Sequence, residues 1–147
     1  MDKLILKKLG RYFKRIGVDY DTDQTRQALS FDVETPEGEW QCLVLVGSRK
    51  DARCGVGFYS TLPTVVPIPI RDLIALSLMS LNTDRLFGSF ELDPDTGYLH
   101  FKTYIEFDYR NFSEKALEKN MLFNIEIMRR HMLKLTKMIH QRMANRA

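Results

Sequence analysis

The sequence predicts an α+β fold of two layers, a five-stranded antiparallel sheet with helices packed on it, in the order α-β-β-β-α-β-β-α. Three observations carry this. Apolar residues alternate with polar ones through 28–61 and again through 87–108, which is the period of a strand. They recur by threes and fours over 3–16, 70–81 and 114–143, which is the period of a helix. The strand-like runs are joined by short turns, which permit antiparallel pairing and rule out parallel crossovers. Helices beside such a sheet must cover one of its faces.

The first helix is expected over 3–16, where Ile5, Leu9, Tyr12, Phe13 and Ile16 form the apolar stripe and Gly17 is placed to end it. Asp19 to Gln27 reads as a polar connection. Leu29, Phe31 and Val33 then alternate as a half-buried strand, and Thr35-Pro36-Glu37-Gly38 supplies turn chemistry. A second strand spans Trp40 to Val46, and a turn follows from Gly47 to Asp51. The third strand spans Arg53 to Thr61 with Cys54, Val56 and Phe58 on one face; Gly55 and Gly57 leave the other face bare, open to close approach. Proline is tolerated only in a first helical turn, so the second helix starts near Pro69 and runs to Leu81. Its expected buried stripe is Ile70, Leu73, Ile74, Ser77, Leu78 and Leu81, and Asn82-Thr83-Asp84 ends it.

Asp93-Pro94-Asp95-Thr96-Gly97 is the strongest turn in the chain. Phe90 and Leu92 alternate before it, and Leu99, Phe101, Thr103, Ile105 and Phe107 share one face after it. Ser113 can cap the last helix, with Glu114 suited to its dipole. No proline or glycine interrupts the remainder. At 1.5 Å per residue a helix over 114–143 is ~45 Å long, against a domain expected to measure ~35–40 Å across. It should therefore break near Asn120 or overhang.

A chain of 147 residues with 44% apolar and 28% charged side chains is expected to form one domain, 1–147, without help from a disulfide or metal. No apolar run approaches the length of a membrane span, and basic residues interrupt the N-terminal helix too often for a signal peptide. The cytoplasm is the expected compartment, and there Cys42 and Cys54 should be buried thiols. They lie in neighbouring strands, so a cross-hairpin pairing is the alternative. Charge is uneven: residues 1–16 carry six Lys/Arg against one Asp, 129–147 carry six against none, and the middle is acidic.

Catalytic and metal signatures are missing. Asp19-Tyr20-Asp21-Thr22-Asp23 opens like a calcium loop, but Gln24 and Ser30 stand where glycine and a bidentate acid are required. His100, His131 and His140 are badly spaced for a metal, and no HExxH, CxxC or GxSxG occurs. Gly55-Val56-Gly57 lies inside a strand instead of before a helix, so it is no dinucleotide fingerprint. No enzyme activity and no cofactor is expected. Two sets of residues on the last helix remain. Met128, Met132, Leu135 and Ile139 extend a near-heptad seam that either packs on the sheet or meets a partner helix or second subunit. Arg129, Arg130, Lys134, Lys137 and Arg142 either form a solvated face or bind an anion, and the basic first helix could lie on an anionic membrane, so nucleic acid or an anionic membrane surface met by the basic terminal helices is the alternative partner.

Several residues together resemble the YbjN-like family, whose members share a type III secretion chaperone-like fold. They are Pro67 and Pro69 entering the second helix, Arg71, Asn82 at its end, Gly88-Ser89-Phe90-Glu91-Leu92-Asp93, Gly97 and the aromatic strand that follows. The resemblance runs from about residue 20 to 140. It implies a helix-flanked sheet, a cytoplasmic protein without a cofactor, and a chaperone-like or regulatory role in binding another protein, with homodimerisation a common trait.

Overall fold

The structure, a computed structural model, describes residues 2–48 and 53–146. Helix α1 (Asp2–Arg15) is followed by strands β1 (Asp21–Asp23), β2 (Ala28–Thr35), β3 (Gly38–Ser48) and β4 (Arg53–Thr61). A 3-10 turn (Ile68–Ile70) leads into α2 (Arg71–Asn82), then β5 (Ser89–Leu92) and β6 (Leu99–Asp108). A second 3-10 turn (Tyr109–Asn111) precedes α3 (Glu114–Ala144). The strands form one antiparallel sheet in the order β1-β2-β3-β4-β6-β5.

The sheet has six strands where the sequence predicts five. The added strand, β1, lies in the expected polar connection. Its three residues are all exposed, so it carries no alternation to read, and it exists only through pairing with Ser30, Leu29 and Ala28 of β2. The turn between them is closed by Asp23, whose carboxylate accepts from the Arg26 amide at 3.2 Å, and by Gln27 at φ 51°. The expected turn from Gly47 to Asp51 lies mostly outside the described residues.

Most other boundaries follow their local chemistry. Gly17 at φ 79° ends α1, and the Val18 amide returns to the Phe13 carbonyl at 2.9 Å. The Ser113 hydroxyl accepts from the Ala116 amide at 3.1 Å and caps α3. Asp93 accepts from the amides of Asp95 and Thr96, which fixes the β5–β6 turn. Gly97 in that turn sits at φ 80° with the Val66 carbonyl where a Cβ would be. The Arg71 guanidinium ties the turn to α2, donating to the carbonyls of Val66 (2.9 Å), Pro94 (2.8 Å) and Asp95 (3.1 Å). The Asn82 side chain spans both backbone groups of Phe90 at 2.8 Å. The residues behind the family resemblance therefore hold turns and edges together.

One sheet face carries the core. Register aligns Phe31 with Cys42, Val44 with Phe58, Val56 with Ile105, and Phe90 with Phe101. These side chains meet Ile5, Leu9, Tyr12 and Phe13 of α1 and the stripe Leu117, Met121, Met128, Met132, Leu135 and Ile139 of α3. Each such buried side chain contributes roughly 1.5–3 kcal/mol. Helix α3 runs unbroken through Asn120 for 31 residues. It crosses the sheet obliquely: the Asn120 amide reaches the Tyr104 carbonyl, Arg129 reaches Glu37 in the β2–β3 turn, and Arg146 reaches the Pro69 carbonyl. That path keeps the stripe buried as far as Ile139, so the helix neither breaks nor stands clear of the body.

Helix α2 departs from its predicted stripe. Ile70, Ile74 and Leu78 are buried as expected, but Leu73 is exposed, and so are Leu76 and Met79. Seven of its twelve residues are apolar, Ala75 included, so periodicity alone does not fix which side faces inward.

Candidate functional site

Among the described residues no group of three or more His, Cys, Asp or Glu is arranged to hold a metal ion. His100 pairs with Glu91 at 3.1 Å, the ring of His131 lies 2.9 Å from the Ile127 carbonyl, and His140 is exposed near the end of α3. Among the described residues no helix is long and apolar enough to cross a membrane.

The cysteines are unsuited to redox or nucleophilic work. Both are buried thiols. Burial pushes Cys42 up to about 12, against smaller downward pulls from the Ser60 hydroxyl and the Tyr59 backbone. Cys42 pairs with Ser60, and Cys54 with Ser48, six residues along the same ladder. At ~3.3 Å per residue that separates them by ~20 Å, beyond the reach of a disulfide.

The predicted contact seam belongs to the core. Met128, Met132, Leu135 and Ile139 are all buried against the chain's own sheet and turns, so a partner has no access to them. Of the predicted anion-binding residues, Arg129 and Arg130 already have carboxylate partners. Arg129 donates to both oxygens of Glu126 and, at 2.8 Å, to Glu37; Arg130 donates to Glu126 at 3.0 Å. Those arginines hold the Glu126 carboxyl down at about 2, and Glu126 in turn holds Arg129 above its ordinary value. Lys134, Lys137 and Arg142 are exposed on the same helix. The five cations thus divide into an ion-pair cluster and an exposed face.

The sequence reading missed a different surface. On α2 and just after it, Leu76 is 62% exposed, Met79 66%, Leu86 91% and Phe87 73%. Helical spacing puts Leu73, Leu76 and Met79 on one flank. The turn from Asn82 to Arg85 carries Leu86 and Phe87 onward from the same helix end. Scattered exposed apolar residues are ordinary, whereas a group on one element marks an interaction surface. The signal available in the sequence was the surplus: α2 has more large apolar residues than one sheet-facing stripe can bury.

The two sheet edges differ. Asn82 occupies the outward backbone groups of Phe90 on β5, and β1 presents Asp21, Thr22 and Asp23 in full exposure.

No family model and no curated protein sequence matches the chain. Solved structures do. YbjN from E. coli, a candidate transcription regulator, aligns with TM-score 0.63 at 13% identity, over 92% of this chain and 92% of that one. The ExsC–ExsE complex aligns with TM-score 0.55 at 16% identity, over 90% of this chain and 96% of the matched one. At such identities the likeness is one of fold, and the fold is the YbjN-like, type III secretion chaperone-like one. The structural neighbours lend no support to the nucleic-acid or membrane-surface alternative.

Proposed function

We propose that this chain is a non-catalytic protein-binding module, chaperone-like or regulatory, that self-associates through α2 and the loop after it. The observation that carries this is the group of large apolar side chains left in solvent at Leu76, Met79, Leu86 and Phe87. Burying such a flank against an identical flank is the simplest symmetric solution. The buried cysteines, the pairing of His100 with Glu91 and the ion pairs of Arg129 and Arg130 leave no convergent reactive groups in evidence among the described residues, which favours binding over catalysis. The structural neighbours agree in kind, one a candidate regulator and the other a complex of two proteins.

The test is affinity purification from the native host with mass spectrometry, using the wild-type chain and Leu76→Glu/Met79→Glu as baits. Both sites are exposed, so the variant should fold. Endogenous copies of the chain and any specific partner should be captured by the wild type and lost from the variant. Equal recovery by both baits would remove α2 as the contact surface.

A further inference from the structure

The face of the sheet opposite the helices is also uncovered. Register places Asp21, Ser30, Leu43, Tyr59 and Lys102 in one row across five strands, and Asp32, Gln41, Thr61 and His100 in the next. The sheet curves here into an open concavity of about 880 Å³. Its floor is Leu43, Leu45 and Tyr59, each half-buried. Further along the same face Gly55 lies beneath the Tyr104 ring and Gly57 beneath Tyr59, so aromatic rings lie flat on the sheet and keep this face low.

The border of the concavity is acidic. Asp21, Asp23, Asp32 and Glu39 line its β1–β3 side, with Arg26 as the cation among them. At the far border, His100 and Lys102 are both already paired with Glu91. An apolar floor beside a row of carboxylates complements a chain that carries Lys or Arg around apolar residues.

We infer that this face is a second docking surface, and that its occupant is a cationic, extended segment of another protein. The inference rests on the protein-binding reading but uses the opposite side of the sheet from α2. Four strand spacings separate β1 from β6, ~19 Å in all, which an extended segment of about six residues spans.

The probe is a fluorescein-labelled heptapeptide, Lys-Arg-Leu-Thr-Leu-Arg-Lys, titrated with the full chain and followed by anisotropy. Saturable binding that weakens as salt rises is expected. Asp21→Asn/Asp32→Asn/Glu39→Gln should weaken it roughly tenfold, since three lost attractions near the surface combine to about that factor. Asp72→Asn/Asp84→Asn/Glu118→Gln changes net charge equally at exposed positions elsewhere and should leave affinity within about twofold. Replacing both leucines of the peptide by serine should also weaken binding. Equal loss from the two triple variants, indifference to the leucines, or no binding by the wild type would each overturn the inference. Peptide affinity that falls as protein concentration rises would mean a second copy occupies the face, which overturns it as well. Leu76→Glu/Met79→Glu separates the two surfaces: it should dissociate the protein and bind the peptide normally. A wild-type chain that self-associates through α2 yet ignores the peptide would sink only the second surface.

Discussion

Asn124 is the polar residue on which the seating of α3 depends, and replacing it should be among the most damaging single changes. Its side chain is fully buried. Its amide nitrogen donates to the carbonyls of Phe58 at 2.9 Å and Phe101 at 3.0 Å and to the Thr103 hydroxyl at 3.1 Å; its oxygen accepts from the Ser60 hydroxyl at 2.6 Å. One side chain therefore joins α3 to two adjacent interior strands, β4 and β6. In Asn124→Ala the two hydroxyls can turn towards each other, but the carbonyls lose a donor and a small cavity opens. Each buried hydrogen bond lost costs about 0.5–1.5 kcal/mol and the cavity adds to it, so the loss should be about 3–4 kcal/mol. Asn124→Leu fills the space but removes the same hydrogen bonds, and should cost about 2–3 kcal/mol. Urea unfolding followed by the fluorescence of Trp40, the single tryptophan and a buried one, reads both. With a slope of about 2 kcal/mol/M, the alanine variant's midpoint should fall by about 1.5–2 M. A fall of less than about 0.5 M in both variants would refute the idea that this network fixes the helix on the sheet.

Three further outcomes follow from the geometry. Gly97→Ala must place a Cβ against the Val66 carbonyl and 2.6 Å from the Arg71 guanidinium at φ 80°, so it should lower stability by about 2–4 kcal/mol in the same urea assay, while Gly47→Ala, with open space around it, should change it by well under 1 kcal/mol. Glu126 titrates at about 2 in the folded chain against an ordinary 4.5; its ion pairs therefore stabilise fully above about pH 4.5 and are lost as pH falls towards 2, so midpoints measured across that window should fall less steeply in Glu126→Gln, and identical profiles would contradict the pairing. Neither Cys42 nor Cys54 should react with a maleimide in the native state, both should react in denaturant, and no intramolecular disulfide should form under oxidation; native labelling at either site would contradict their burial.

The sequence made the larger elements legible because their side chains divide cleanly between two environments. Leu29, Phe31 and Val33 alternate because one face of β2 is covered and the other is not. The α3 stripe recurs by threes and fours because it lies on that covered face. Three features were not legible, each for a physical reason. Strand β1 consists of Asp21, Thr22 and Asp23, which bury nothing, so only its pairing to β2 defines it. Helix α2 is apolar on more than one side, and the choice of Ile74 and Leu78 over Leu73 and Leu76 is made by where β5 lies, a tertiary fact. The seam at Met128, Met132, Leu135 and Ile139 reads the same whether its neighbour is the chain's own sheet or another subunit. The oblique path of α3 over the sheet decides that question in favour of the core, and so moves the exposed apolar surface to α2. Met132→Lys, which the seam reading would use to weaken association, should instead unfold the protein, because the Met132 methyl packs against Gly38 in the β2–β3 turn.

Sedimentation velocity across about 1–200 μM, a range that covers typical dissociation constants of weak to moderate complexes, examines the α2 surface most directly. The wild-type chain should move from monomer to dimer over that range, and Leu76→Glu/Met79→Glu should remain monomeric with an unchanged melting temperature. A wild-type chain that stays monomeric throughout, or a charged variant that still dimerises, would contradict self-association through the apolar flank of α2.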